Sequence, residues 1–440
     1  MSYEKKLMVR HSIASIIALA LFGASRFIYS AVISRRFGVE VLGIANSLIS
    51  QAFLIAISLS FFAVALGKYA SEFLAKGENS RIRSIATWGF SFPFLGILIA
   101  PFNIYLALLS TLRAFQLTFR SFIYGLHRGE VYAYAMILAF FFFLGGFISD
   151  NYYLPYILLL LTTSLFAFFY LVKNGLFGRP KARDFKLLVN YSSFAFLGTL
   201  SGVFLVQGPY FLSEKLASPR VAGIVSASLS SAFLLTYLPQ VFQSAVMPLY
   251  SYKYGKDEMD YVKRLAETST RILSFFVAII VFILLLLGRE ILSIIFGFDL
   301  GNEFYLALMA IETYIAYNPS IVALNSTKYV KYGTVVALFG ALVSSIFWLL
   351  LIAPFGEYGA IGGLFSGYLN ILIGTALISR KKLGVSFSSY VPFVTALLFQ
   401  SLIFMSKIAV LAGFSVYLVL RKNEIWESLE VFKSLWIGRQ

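Results

Sequence analysis

Sixteen consecutive residues, Ile272 to Leu287, carry one hydroxyl and no charge, and comparable runs lie at Leu154–Val172 and Val335–Pro354. A helix rises ~1.5 Å per residue, so runs of this length cover most or all of a ~30 Å hydrocarbon core. Inside that core no water satisfies a free backbone, so only helices and closed barrels are viable. Barrel strands alternate apolar and polar residues over ~10 positions, and these runs do not alternate. The pattern predicts an all-α polytopic membrane protein.

Composition agrees with the runs. Of 440 residues, 59% are hydrophobic and 13% are charged, about half the charged fraction of a soluble domain. The mean hydropathy is +0.83. The 46 Phe and 27 Tyr suit lipid-facing surface and interfacial anchoring. With no cysteine, disulfides and thiolate metal sites are excluded, and only His11 and His127 could supply imidazole. The first apolar stretch follows Lys5, Lys6 and Arg10, as in a signal peptide. It runs for about 25 residues without a small-residue cleavage site, so it is expected to be an uncleaved first span.

About fourteen transmembrane helices are expected, at 11–34, 43–66, 84–102, 103–125, 131–149, 153–173, 189–213, 221–249, 270–288, 304–326, 332–354, 358–379, 389–404 and 407–421. Placing both termini in the cytoplasm puts 29 of the 36 Lys and Arg on the inner side and 6 outside, with Arg26 within a span. That bias follows the positive-inside rule. The net charge of +16 thus encodes orientation, and no nucleic-acid partner is expected. After the last span, Ile425, Trp426, Leu429, Phe432, Leu435 and Trp436 recur at helical spacing, with Glu424, Glu427, Glu430 and Lys433 on other faces. This predicts an amphipathic helix over 422–440, lying on the cytoplasmic membrane surface.

The second and eighth spans resemble each other. Val41, Gly43, Ile44, Ser50, Ala52, Phe53 and Leu54 match Val221, Gly223, Ile224, Ser230, Ala232, Phe233 and Leu234 at a constant offset of 180 residues. Each is the second helix of a six-helix half, so the repeat is parallel, about an axis along the membrane normal. The expected organisation is two pseudo-symmetric six-helix lobes at 1–180 and 181–383, an extra helix pair at 384–421, and the tail. Such halves are typical of alternating-access transporters.

Ionisable residues inside a membrane cost several kcal/mol and default to functional roles. Arg26 sits well inside the first span. Arg113, Gln116 and Arg120 follow at i, i+3 and i+7 of the fourth, on one face. They form a candidate cationic wall for an anionic substrate, because arginine's planar fork suits phosphate. For Arg120 the alternative is snorkelling to the inner headgroups. Later spans add Gln207 beside Gly208-Pro209, Gln240 and Gln243 near Pro239, and Asn318 beside Pro319; prolines within spans suit positions facing an interior cavity. Glu312 is the one acid deep in a span, a candidate for ion coupling or for a structural pair with an arginine. The first six spans hold no Asp or Glu at mid-depth, where an exporter of organic cations normally needs one.

The stretch Ile33-Ser-Arg-Arg-Phe-Gly-Val-Glu-Val-Leu-Gly-Ile44 resembles the first outer loop of polysaccharide transporters. Val221-Ala-Gly-Ile through Leu238-Pro-Gln and Met247-Pro-Leu-Tyr250 is similar to their eighth helix, and Ile295-Phe-Gly297 to the short element after the ninth. These patterns are those of the multidrug/oligosaccharidyl-lipid/polysaccharide (MOP) exporter superfamily, in its branch of lipid-linked oligosaccharide flippases. Two departures stand out: Ile44 where an aromatic is expected, and the short final spans. The resemblance implies two six-helix lobes forming a V around a central cationic cavity. It also implies flipping of a (pyro)phosphate-linked polyprenyl oligosaccharide from the cytoplasmic to the outer leaflet of a prokaryotic plasma membrane. Arg26 matches by location the first-helix arginines of peptidoglycan-precursor flippases, and the final pair resembles the helices bordering a lipid-tail groove in those relatives.

The substrate-binding set expected on these grounds is Arg26, Arg113, Arg120, Gln116, Gln207 and Gln243. The expected partners are the lipid-linked substrate and membrane lipids, with a monomeric chain working beside glycan polymerase or ligase machinery. No cofactor is expected, and coupling to Na+ or H+ stays open. Two rivals remain. A multidrug cation antiporter of the same superfamily would line its pocket with carboxylates. A membrane-embedded glycosyl- or acyltransferase would need a catalytic cluster at the membrane surface, where only His127 with Glu130 is available.

Overall fold

In a computed structural model, which describes residues 3–426 and side chains from Ile13 on apart from position 194 and several within 241–251, the chain is helical throughout. Contacts divide it into two compact units, residues 1–226 and 227–440. Among the described residues there is no strand.

The first unit contains α1 (Tyr3–Phe37), α2 (Val39–Leu59), α3 (Ala63–Ala75), α4 (Asn79–Ser91), α5 (Ile104–Gly125), α6 (Gly129–Gly145), α7 (Leu154–Lys173), α8 (Ala182–Leu216) and the first turns of α9 (Pro219–Ala232). The second takes the rest of α9, then α10 (Tyr237–Gly255), α11 (Met259–Phe296), α12 (Glu303–Asn325), α13 (Val330–Phe355), α14 (Glu357–Leu383), α15 (Val391–Gln400) and α16 (Lys407–Leu420). Among the described residues, twelve helices are long and apolar enough to cross a membrane. The two other expected spans are α5, which carries Arg113 and Arg120, and α16, which has 14 residues. The protein is therefore a multi-pass α-helical membrane protein. Lys422 to Trp426 form a further helical turn; the rest of the expected surface helix, with Leu429, Phe432, Leu435 and Trp436, lies outside the described residues.

Both members of the repeated pair are interrupted. The expected span 43–66 is two helices, α2 and α3, with Ser60 to Phe62 between them. The expected span 221–249 passes from α9 through a 3-10 turn, Phe233–Thr236, into α10. Pro239 accounts for the second break, because it offers no N–H and its ring clashes with the carbonyl four residues back. At the first break there is no proline.

The repeat's two glycines meet. A Cβ on Gly43 would stand 1.8 Å from the Pro219 carbonyl oxygen and 2.7 Å from the Gly223 nitrogen, and one on Gly223 would stand 2.0 Å from the Val39 oxygen. Residues equivalent by sequence thus pack backbone to backbone, a contact that only glycine permits at both positions.

In the second unit α12 is the central helix, with nearly every side chain from Phe304 to Leu324 buried. Beside it, α13 and α14 pack through Gly340, Gly363 and Gly367. Trp348 fills the space left at Gly363, is fully buried, and donates Nε1–H to the Ala360 oxygen at 2.8 Å. Trp348→Phe keeps most of the apolar volume and removes the donor. An expected loss of about 1 kcal/mol of stability is measurable by chemical unfolding in detergent.

Candidate functional site

The polar centre of the first unit is built on α1, α2, α5 and α8. Asn103 starts α5 by accepting the Leu106 N–H at 3.0 Å, so the helix enters with its first turn capped. From there the spacing brings Arg113, Gln116 and Arg120 to one face. Arg113 donates to the Gln116 amide oxygen, and the Gln116 amide nitrogen contacts the Met136 sulfur of α6 at 3.3 Å. Gln116 is fully buried, so the rotamer of Arg113 is set from behind.

The Arg113 guanidinium lies over two aromatic rings. Its central carbon lies 4.3 Å from the ring centroid of Phe22 on α1 and 4.7 Å from that of Phe53 on α2. Those two rings stack on each other at 6.2 Å. Across the unit, Arg26 of α1 donates to the Gln207 oxygen of α8 at 3.3 Å and lies 4.5 Å from the centroid of Tyr210. Two arginines on different helices thus share one design: each guanidinium sits over an aromatic ring and donates to an amide oxygen. Each cation–π contact contributes about 0.5–2 kcal/mol. Arg26 and Arg120 are both near enough to repel Arg113. Among the described residues no carboxylate lies within ion-pair distance of Arg113 or Arg120.

A second polar cluster lies along α2. Asn46 donates to Ser30 at 3.3 Å, Gln51 to Ser47 at 3.2 Å, and Ser47 to Glu214 of α8 at 3.4 Å. Glu214 also pairs with Lys215 at 2.9 Å.

Of the sequence-predicted set, Arg26, Arg113, Gln116, Arg120 and Gln207 fall in the first unit. Gln243 lies on α10 and Glu312 on α12, both in the second unit. Glu312 is 1% exposed and has Gln400 of α15 and Tyr417 of α16 as polar neighbours. No lysine or arginine is within ion-pair distance of it among the described residues. The His127 ring meets Ser71 at 3.2 Å, and the described residues hold no group of three or more His, Asp or Glu gathered as metal ligands.

Phe22, Phe53 and Tyr210 were not singled out from sequence. None of the three had a legible signal, since Phe22 and Phe53 reach Arg113, and Tyr210 reaches Arg26, from other helices, and which aromatic does so depends on packing.

No family model matches the chain, and no curated protein matches it. Solved structures do. An inward-facing multidrug resistance MATE transporter of the MOP superfamily aligns with TM-score 0.67 at 12% identity, over 84% of this chain and 98% of that one. The lipid II flippase MurJ, in an inward closed conformation, aligns with TM-score 0.62 at 16% identity, over 95% of this chain and all of that one. A MOP transporter from Pyrococcus furiosus, described as having a binding pocket of reversed polarity that suggests a different function, aligns with TM-score 0.57 at 12% identity, over 86% and 96%. At these identities the likeness shows the fold, which is that of the MOP-superfamily transporters.

Proposed function

We propose that this protein is an alternating-access flippase that carries a (pyro)phosphate-linked polyprenyl oligosaccharide from the cytoplasmic to the outer leaflet of a prokaryotic plasma membrane. The observation that carries the reading is the pair of arginines held over aromatic rings, Arg26 and Arg113. Their planar forks suit parallel hydrogen bonds to phosphate oxygens. A wall of like charges, with Arg113 unaccompanied by a carboxylate, repels an organic cation and attracts a polyanionic headgroup. The likeness to MurJ, itself a lipid flippase, supports this reading, as does the P. furiosus transporter with reversed pocket polarity.

On this reading the headgroup leaves the inner leaflet for the arginines while its tail stays in lipid. The two repeat halves then rock, and the glycan is released outside. A potential of 100 mV, negative inside, contributes about 2.3 kcal/mol per charge. It favours outward movement of the anion and return of the empty cationic site. On this reading both termini are cytoplasmic, the orientation that the basic loops favour by the positive-inside rule. Because the chain has no cysteine, that orientation is directly testable. Single cysteines at the exposed positions 180 or 256 should be shielded in intact cells from a membrane-impermeant maleimide, and one at the exposed position 299 should react.

The MATE likeness makes a cation antiporter the competing function. Proteoliposomes separate the two. The expected result is transfer of a fluorescent undecaprenyl-pyrophosphate oligosaccharide to the outer leaflet with no transport of ethidium. Ethidium exchange against a Na+ or H+ gradient, with no lipid transfer, sinks the flippase reading.

A further inference from the structure

A cleft of about 310 Å³ opens on the basic-loop side of the first unit, lined in part by Arg83 and Asn79 of α4, Arg128 after α5, and Tyr170 and Asn174 at the end of α7. Its size is at the small end of ligand clefts, roughly 300–1,000 Å³: room for a phosphodiester and glycerol, too little for an oligosaccharide. Left-handed backbone at Gly77, His127 and Gly175 turns three loops around it.

Its two arginines are exposed, and neither forms an ion pair among the described residues. Three nearby acids are engaged with other cations: Glu78 and Asp184 with Arg81 at 2.9 Å each, and Glu72 with Lys76 at 2.6 Å. The Lys76 hydrogen bond holds the Glu72 carboxyl below its ordinary range, so it stays ionised and committed to that lysine. Arg83 is also held in place from below, because its stem packs on the backbone at Gly178, where a Cβ would stand 2.8 Å from its own Cβ. That segment is in turn tied to α4 by the Thr87 hydroxyl donating to the Gly178 oxygen at 2.8 Å. Beside these polar groups the cleft is lined by Leu74, which is itself exposed, and by Leu126 and Leu176. A cationic, hydrogen-bonding cleft thus has an apolar flank.

We propose that this cleft binds the phosphate headgroup of an anionic phospholipid from the surrounding leaflet. Arg83 and Arg128 hold the phosphate, and the acyl chains leave over the apolar flank formed by Leu74, Leu126 and Leu176. Basic pockets between transmembrane helices at the cytoplasmic face select such lipids, and the site is independent of whatever substrate the arginines of α1 and α5 carry.

The test is phosphatidylglycerol binding to the purified full chain, followed by native mass spectrometry. Phosphatidylcholine and inorganic phosphate serve as comparison probes. The expected result is phosphatidylglycerol retained by the wild type and phosphatidylcholine lost. Arg83→Gln/Arg128→Gln should bind phosphatidylglycerol about 30-fold more weakly, which is ~2 kcal/mol at ~1.4 kcal/mol per tenfold. Arg83→Lys/Arg128→Lys, which keeps the charge and loses the fork, should fall between. Equal retention by the Gln double variant, showing an unaltered melting temperature in phosphatidylcholine, overturns the site. Displacement by millimolar inorganic phosphate as effectively as by lipid shows a free-anion site and overturns the lipid assignment.

Discussion

Arg26→Ala/Arg113→Ala is expected to lose export by roughly 100-fold or more, with membrane levels unchanged. A hydrogen bond to a charged group contributes about 1.5–3 kcal/mol, so each arginine is expected to contribute roughly 10- to 150-fold. The measurement is glycan export in cells depleted of their native flippase, at matched expression. Lysine at either position tells charge from geometry. It retains the cation and loses the planar fork, so Arg113→Lys should fall about tenfold below wild type and well above Arg113→Ala. A structural role would look different. Arg113 fixes Gln116 and lies against Phe22 and Phe53, so if packing were its whole purpose, both variants would lose protein yield rather than rate. Full export by the double alanine variant removes the arginines from the mechanism.

The fold was largely legible because the membrane imposes so strong a rule. An apolar run such as Ile272–Leu287 must be helical in lipid, and it forms the middle of α11, which extends beyond the expected 270–288 at both ends. Hydropathy marks where lipid is, and a helix continues past that boundary while its backbone bonds favour it. Pro239 announced an interruption, whereas the one after Leu59 follows Ser60, Phe61 and Phe62, and no local residue type demands it. The site was legible one helix at a time. Helical spacing put Arg113, Gln116 and Arg120 on one face, and intramembrane depth marked Arg26 and Gln207. That Arg26 reaches Gln207, 181 positions away, is a matter of which helices pack together. The sequence holds that information only through the packing of every other span. For the same reason the rings of Phe22, Phe53 and Tyr210 could not be assigned to their arginines beforehand.

Gly43→Leu is expected to reduce export at least tenfold in a chain that still inserts and folds. The repeat makes Gly43 and Gly223 equivalent, and the structure places them against each other. The atoms nearest an added Cβ are the Pro219 carbonyl and the Gly223 nitrogen on one side and the Val39 carbonyl on the other. Backbone cannot rotate away as the end of a side chain can, so the start of α2 must separate from the first turn of α9. Overpacking of this kind costs about 1–3 kcal/mol. Transporter states differ by only a few kcal/mol, so the same energy moves a conformational equilibrium roughly 5- to 150-fold toward a state in which the contact is absent. A cysteine at Val39, in a chain without native cysteines, gives the readout. Its labelling by an impermeant maleimide should rise in the Gly43→Leu background and in Gly223→Leu alike, because either substitution parts the same two backbones. Labelling unchanged in both, with export intact, means that the glycine contact is passive packing and takes no part in the transport cycle.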